Sequence, residues 1–150
     1  MTIKITSPET VDYNCIAWAA SEDFRFWWPD KTMDFFWPEG VEREETVDAF
    51  VKAYATQGFK ICEHEEFEKG FEKIALYAKD GKPQHAARQL ARDVWSSKLG
   101  RSYDIIHPFI ITWEDIVVNG NLFELAIYGE LVKVFKKYIG KVSPKTPIGY

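Results

Sequence analysis

The stretch FEKIALYAKDGKPQHAARQLA, residues 71–91, decides how the chain is read. It holds two extended runs about Asp80-Gly81, and both turn residues tolerate the positive φ that a tight hairpin demands. Strands are expected near 71–78 and 83–90. With Asp80 and Gly81 as the turn, Lys79 faces Lys82, Leu76 lies opposite His85 and Ile74 opposite Ala87. Those last four share one face by strand alternation, while Lys73, Tyr77, Gln84 and Arg88 occupy the other. The second set is polar or amphipathic and suits solvent, so His85 is expected to point toward a core. Ala86 and Ala87 add little bulk, which lets a helix approach the strand closely.

The natural partner helix lies upstream, in YNCIAWAA at 13–20. Asp12 or Asn14 can cap a helix running to about Asp23, because their side-chain oxygens accept the orphan N–H groups of a first turn. Cys15 then sits in that turn. It is either a packed small hydrophobe or a nucleophile, and the second role needs a base. A helix on the His85 face would supply one: a helix N-terminus and an adjacent imidazole favour the thiolate, and first-turn N–H groups can stabilise an oxyanion.

Between these segments, FRFWWPDKTMDFFWPEG at 24–40 carries two WP pairs and a closing Gly, which forbid a long helix and favour an extended aromatic loop. That loop is read chiefly as a small core of its own, with Trp27, Trp28 and Trp37 as a candidate cleft wall. Val47, Phe50, Val51 and Tyr54 recur at helical spacing within 44–57, and Gly58 stops that helix. FKICEH at 59–64 alternates like a strand, and further strands are expected at 93–97 and 109–113. A helix is expected to open at Trp113-Glu114-Asp115, and YGELVKVFKKYI at 128–139 fits a helix or a strand.

Together these elements predict one α+β domain over residues 1–150, with N-terminal helices packed on an antiparallel sheet. The segments NCIAWA, WWPD, FWPEGV, GFEKIALYAKDGKPQHAARQL, VWSSKLG and DIIH resemble an uncharacterised bacterial domain family. More distantly, a cysteine opening a helix and a histidine on a later hairpin resemble the NlpC-like branch of the papain-fold thiol hydrolases. The resemblance covers roughly residues 10–140. It implies a papain-like (NlpC-like) fold and a peptidase, amidase, deamidase or acyltransferase type of activity on an amide bond.

Carried over by position, Cys15 matches the nucleophile and His85 the base. The orienting residue of that pattern lies about a dozen residues beyond the histidine, where ARDVWSSKLG offers Ser97, with Asp93, Gln89, Asp104 or His107 as other choices. Asn14, Trp18, Trp28, Trp37, Trp95 and Lys98 are the expected substrate cleft. The expected partner is a peptide or other amide-containing substrate. The alternative is a catalytically inactive protein-binding or immunity-type module, in which the same cysteine and histidine are core residues.

The rest of the sequence narrows the field. Aromatic residues make up 16% and hydrophobic residues 46% of the chain, enough for a buried core in 150 residues. The net charge is −4 and the basic residues are scattered apart from KKYIGK, so nucleic acid is not an expected partner. No run approaches a membrane span, and the start MTIKITSPETVDYN lacks the apolar segment of a signal peptide, so a cytoplasmic location with free thiols is expected. Cys15, Cys62, His64, His85 and His107 show no metal-ligand spacing, so neither a metal nor another cofactor is expected.

Overall fold

A computed structural model describes residues 4–7, 10–99, 104–110 and 129–140. The elements are strands Lys4–Ile5 (β1), Lys60–Cys62 (β2), Phe71–Lys79 (β3), Lys82–Ala91 (β4), Val94–Lys98 (β5), Asp104–His107 (β6) and Glu130–Tyr138 (β7), with helices Cys15–Ala19 (α1) and Val47–Ala55 (α2). The seven strands form one sheet in the order β1-β6-β5-β4-β3-β7-β2, in which all pairs are antiparallel.

The β3–β4 hairpin forms as expected at Asp80-Gly81, whose φ values are 51° and 79°. Its register departs from the expected one after two pairs. Lys79↔Lys82 and Ala78↔Pro83 match, but a bulge leaves Gln84 unmatched, and Tyr77 rather than Leu76 then faces His85. The irregularity falls beside Pro83, which has no N–H to give to the ladder. Leu76 now pairs with Ala86 and Ile74 with Arg88.

This one-residue slip exchanges neighbours across the hairpin. Ile74, Leu76 and Ala86 join Phe135 of β7 under the two helices. His85 is turned to the other face, with Ala75, Tyr77 and Ala87. That face is not left to solvent: Lys73 is fully buried there and pairs with Glu68 at 2.7 Å.

The expected α+β, papain-like (NlpC-like) fold, with N-terminal helices packed on an antiparallel sheet, does not form. The described residues are mostly antiparallel sheet, and the two helices among them are only five and nine residues long. Asn14 is the cap of α1, its Oδ1 accepting from the Ala17 N–H at 3.1 Å, but the helix ends at Ala19 and Ser21 takes a φ of 68°. α2 starts at its own cap, Thr46, which accepts from Ala49 N–H at 3.2 Å. The tail segment becomes β7 rather than a helix. Its apolar spacing serves either form, but as a strand it pairs with β3 on one side and β2 on the other. The strand expected at 109–113 is displaced to β6, Phe109 and Ile110 forming a bend after it. Residues 111–113 and the helix expected from Trp113 lie outside the described residues.

The aromatic loop packs inward. Trp27 is fully buried and stacks 6.3 Å from Tyr54, while Trp28 and Trp37 meet the Phe50 ring at 5.6 and 5.0 Å. Tyr54 of α2 donates to the Ile16 carbonyl at 2.9 Å and so fixes α2 to α1. Among the described residues, no helix is long and apolar enough to cross a membrane.

Gly129 enters β7 with a φ of 100°, and a Cβ there would lie 2.2 Å from the Ala78 carbonyl oxygen. Gly81 has nothing within 4 Å of its own hypothetical Cβ. Gly129→Ala is therefore expected to cost more than about 2 kcal/mol in urea unfolding, and Gly81→Ala about 1 kcal/mol. Equal midpoints for the two variants would contradict the close approach at Gly129.

Candidate active site

The β4–β5 ladder runs from Ala91↔Val94 to Arg88↔Ser96, and no pair follows Arg88↔Ser96. Beyond it, side chains join the two strands. His85 Nε2 lies 2.9 Å from Ser97 Oγ, and Ser97 Oγ lies 2.7 Å from His107 Nε2 on β6. On the other side of this strand, Cys15 of α1 packs against the cluster that holds Ala86, the residue that follows His85 directly. The thiol thus enters from the helix side at the strand segment from which the His85 ring leaves on the other side.

Counting protons fixes the tautomers. Burial, with His107 nearby, pushes His85 down to about 3, and burial pushes His107 down to about 4 against the pull of the Pro108 carbonyl. Both rings are therefore neutral at pH 7. His107 Nδ1 lies 2.7 Å from the Pro108 carbonyl, which can only accept, so Nδ1 carries the proton and Nε2 a lone pair. That lone pair takes the Ser97 hydroxyl proton. Ser97 Oγ in turn accepts from His85, whose proton is therefore on Nε2 and whose lone pair is on Nδ1.

The serine selected as orienting residue thus touches the histidine selected as base. His107, one of the other choices, extends the chain rather than replacing Ser97. The remaining choices go elsewhere: Gln89 Nε2 donates to the Glu65 carbonyl at 2.9 Å, and Asp93 Oδ1 accepts from Phe109 N–H at 3.3 Å. Asp104 Oδ2 accepts from the Tyr13 hydroxyl at 2.5 Å, its carboxyl raised by burial against the pull of that bond.

Around the sulfur, burial dominates and pushes the Cys15 thiol up to about 11, although N–H groups of Ala86, Cys15 and Ile16 and the nearby Lys98 all favour the thiolate. The thiol and the imidazole therefore both rest neutral, on opposite faces of the sheet.

The expected cleft residues do not form one wall. Trp18 Nε1 donates to Ser96 Oγ at 3.1 Å with Arg88 over its ring, and Lys98 is buried, donating to the Thr10 carbonyl at 2.8 Å. Asn14 is absorbed by its cap and by Trp27, and Trp28 and Trp37 belong to the loop core. Trp95 lies on the opposite face, against Phe109. Sequence reasoning missed the Pro108 carbonyl, a backbone group without a residue signature. The strand that carries His107 was placed five residues too late; the β-branched pair Ile105-Ile106 ahead of Pro108 could have found it.

Two buried neutral histidines make stability fall with acid. The unfolded rings titrate near about 6.5, while the folded ones wait until about 4 and about 3. Above pH 6.5 neither state binds these protons, and below it the unfolded chain binds more, so stability is lost as pH falls. The loss from the two rings approaches roughly 3 kcal/mol per pH unit. Urea midpoints at pH 7, 6 and 5 are expected to drop steeply for the native chain and less steeply for His107→Gln. An identical slope in that variant would mean that His107 titrates normally in the fold.

No curated protein and no solved structure matches the chain. A family described as a domain of unknown function (DUF7689) matches residues 4–136, so it spans every strand described except the last two residues of β7. By that match the chain belongs to the DUF7689 family.

Proposed function

We propose that this domain is a catalytically inactive protein-binding or immunity-type module, in which Cys15 and His85 are packed residues on opposite faces of the sheet. The observation that carries the reading is their placement: α1, which holds Cys15, covers the face of Ile74, Leu76 and Ala86, whereas His85 lies on the other face against Ser97.

The Cys15 thiol, pushed up to about 11 by burial, suits the same packed position. The second reading is a hydrolase or acyltransferase acting on an amide bond of a peptide or other substrate, with Cys15 as nucleophile and His85 as base; the chain His85–Ser97–His107 and the resemblance to NlpC-like thiol hydrolases favour it. Labelling with iodoacetamide at pH 7 separates the two. For a nucleophile, Cys15 is expected to react at least about tenfold faster than Cys62, and His85→Ala to slow it by a similar factor. Ser97→Ala should slow it less, with circular dichroism confirming that both variants fold. If Cys15 reacts no faster than Cys62, or is indifferent to His85→Ala, the hydrolase reading is lost and the binding module stands.

A further inference from the structure

Past the ladder pair Trp95↔His107, the face that carries His85 opens into a cleft of about 340 Å³. Its aromatic lining is the half-buried Phe109, backed by the buried Trp95, whose ring lies 5.2 Å away. Its charged lining consists of Glu65, Glu66, Asp93 and Arg92. Three carboxylates against one guanidinium leave an excess of negative charge, and Arg92 is turned onto the Phe67 ring, 5.5 Å from its centroid.

The lining is held in place. Asp93 sits in a left-handed turn at a φ of 52° and accepts from Phe109 N–H at 3.3 Å, which joins the β4–β5 turn to the bend after β6. Gln89 donates to the Glu65 carbonyl at 2.9 Å, which fixes the Glu65 side of the cleft to β4. An accessible aromatic ring with carboxylates beside it is the combination that binds an organic ammonium: the Phe109 ring attracts the cation through its quadrupole and covers its alkyl chain, and the carboxylates neutralise it. The volume lies in the range of small-ligand sites.

We propose that this cleft binds an alkylammonium group, carried by a free amine or by the lysine side chain of a peptide. The cleft is separate from Cys15, and its occupancy does not require a reactive thiol. One wall is Pro108, whose carbonyl receives the His107 N–H, so an occupant would touch the end of the histidine chain.

The test is a titration of the ¹⁵N-labelled protein with butylammonium chloride, following the amides of Asp93 and Phe109 and the Gln89 side chain. Saturable shifts are expected with a Kd on the order of 1–10 mM. 1-Butanol and sodium butyrate should give none beyond a potassium chloride control. Asp93→Asn, which keeps a residue tolerant of the left-handed turn, and Glu66→Gln should each weaken binding by about fivefold. Nα-acetyl-lysine methylamide binding more tightly than butylammonium would assign the site to peptide lysines; equal binding would assign it to the ammonium group alone. Equal shifts with 1-butanol, no saturation by about 100 mM (about ten times the upper expectation), or indifference to both substitutions would overturn the proposal.

Discussion

The β3–β4 hairpin skips Gln84 beside Pro83. The division of side chains between the two faces of the sheet depends on that one skipped residue. Because strand side chains alternate, one skipped residue sends His85 away from Ile74 and Leu76 and places it beside Tyr77, with the rings 5.9 Å apart. β7 shows a matching irregularity at the same level of β3, Leu76 facing Lys133 and Tyr77 facing Leu131. Two bulges opposite one point on a central strand keep all three strands bonded while the twist increases. The helices then cover a face lined by Ile74, Leu76, Ala86 and Phe135, without a polar ring from β4.

On the other face, polarity is handled by pairing rather than exclusion. Ser97 has a single hydroxyl proton, and two buried imidazoles compete for it. The Pro108 carbonyl decides the outcome, since it obliges His107 to donate from Nδ1. Reversing the chain would place two lone pairs against each other at His107. The arrangement is therefore directional, and burial keeps it neutral by holding both rings far below their ordinary pKa. Lys73 follows the same rule farther along β3: its fully buried ammonium is matched by Glu68 at 2.7 Å and by the His64 carbonyl at 3.0 Å.

The sequence made the hairpin, α2 and the strand before Lys98 legible because each carries a local signal: Asp-Gly, four apolar residues at helical spacing, and a short alternating run. The cap at Asn14 and the link from His85 to Ser97 were legible as well, the first from side-chain chemistry and the second from a spacing of twelve. What misled was the assumption that a perfect two-residue hairpin keeps one register to its end. A proline two residues after the turn signals where a ladder can slip, but not whether a neighbouring strand will accept the slip, and that depends on β7, more than forty residues away. The tail itself was undecidable locally, since Leu131, Val134, Phe135 and Tyr138 fit both periods. The helical content was overread for the same reason: the segment after Ala19 yields its aromatic side chains to a core around Phe50 and Tyr54, which only the assembled fold provides.

The same packing bears on the chemistry of Cys15. Trp27, Tyr54 and Phe50 press α1 onto the sheet, and the resulting loss of water raises the thiol more than three N–H groups and Lys98 can lower it. His85 leaves β4 on the other face, where burial holds it neutral and the Ser97 hydroxyl, twelve residues away, sets its tautomer. The sheet thus separates two buried titratable groups, each kept uncharged by the packing on its own side.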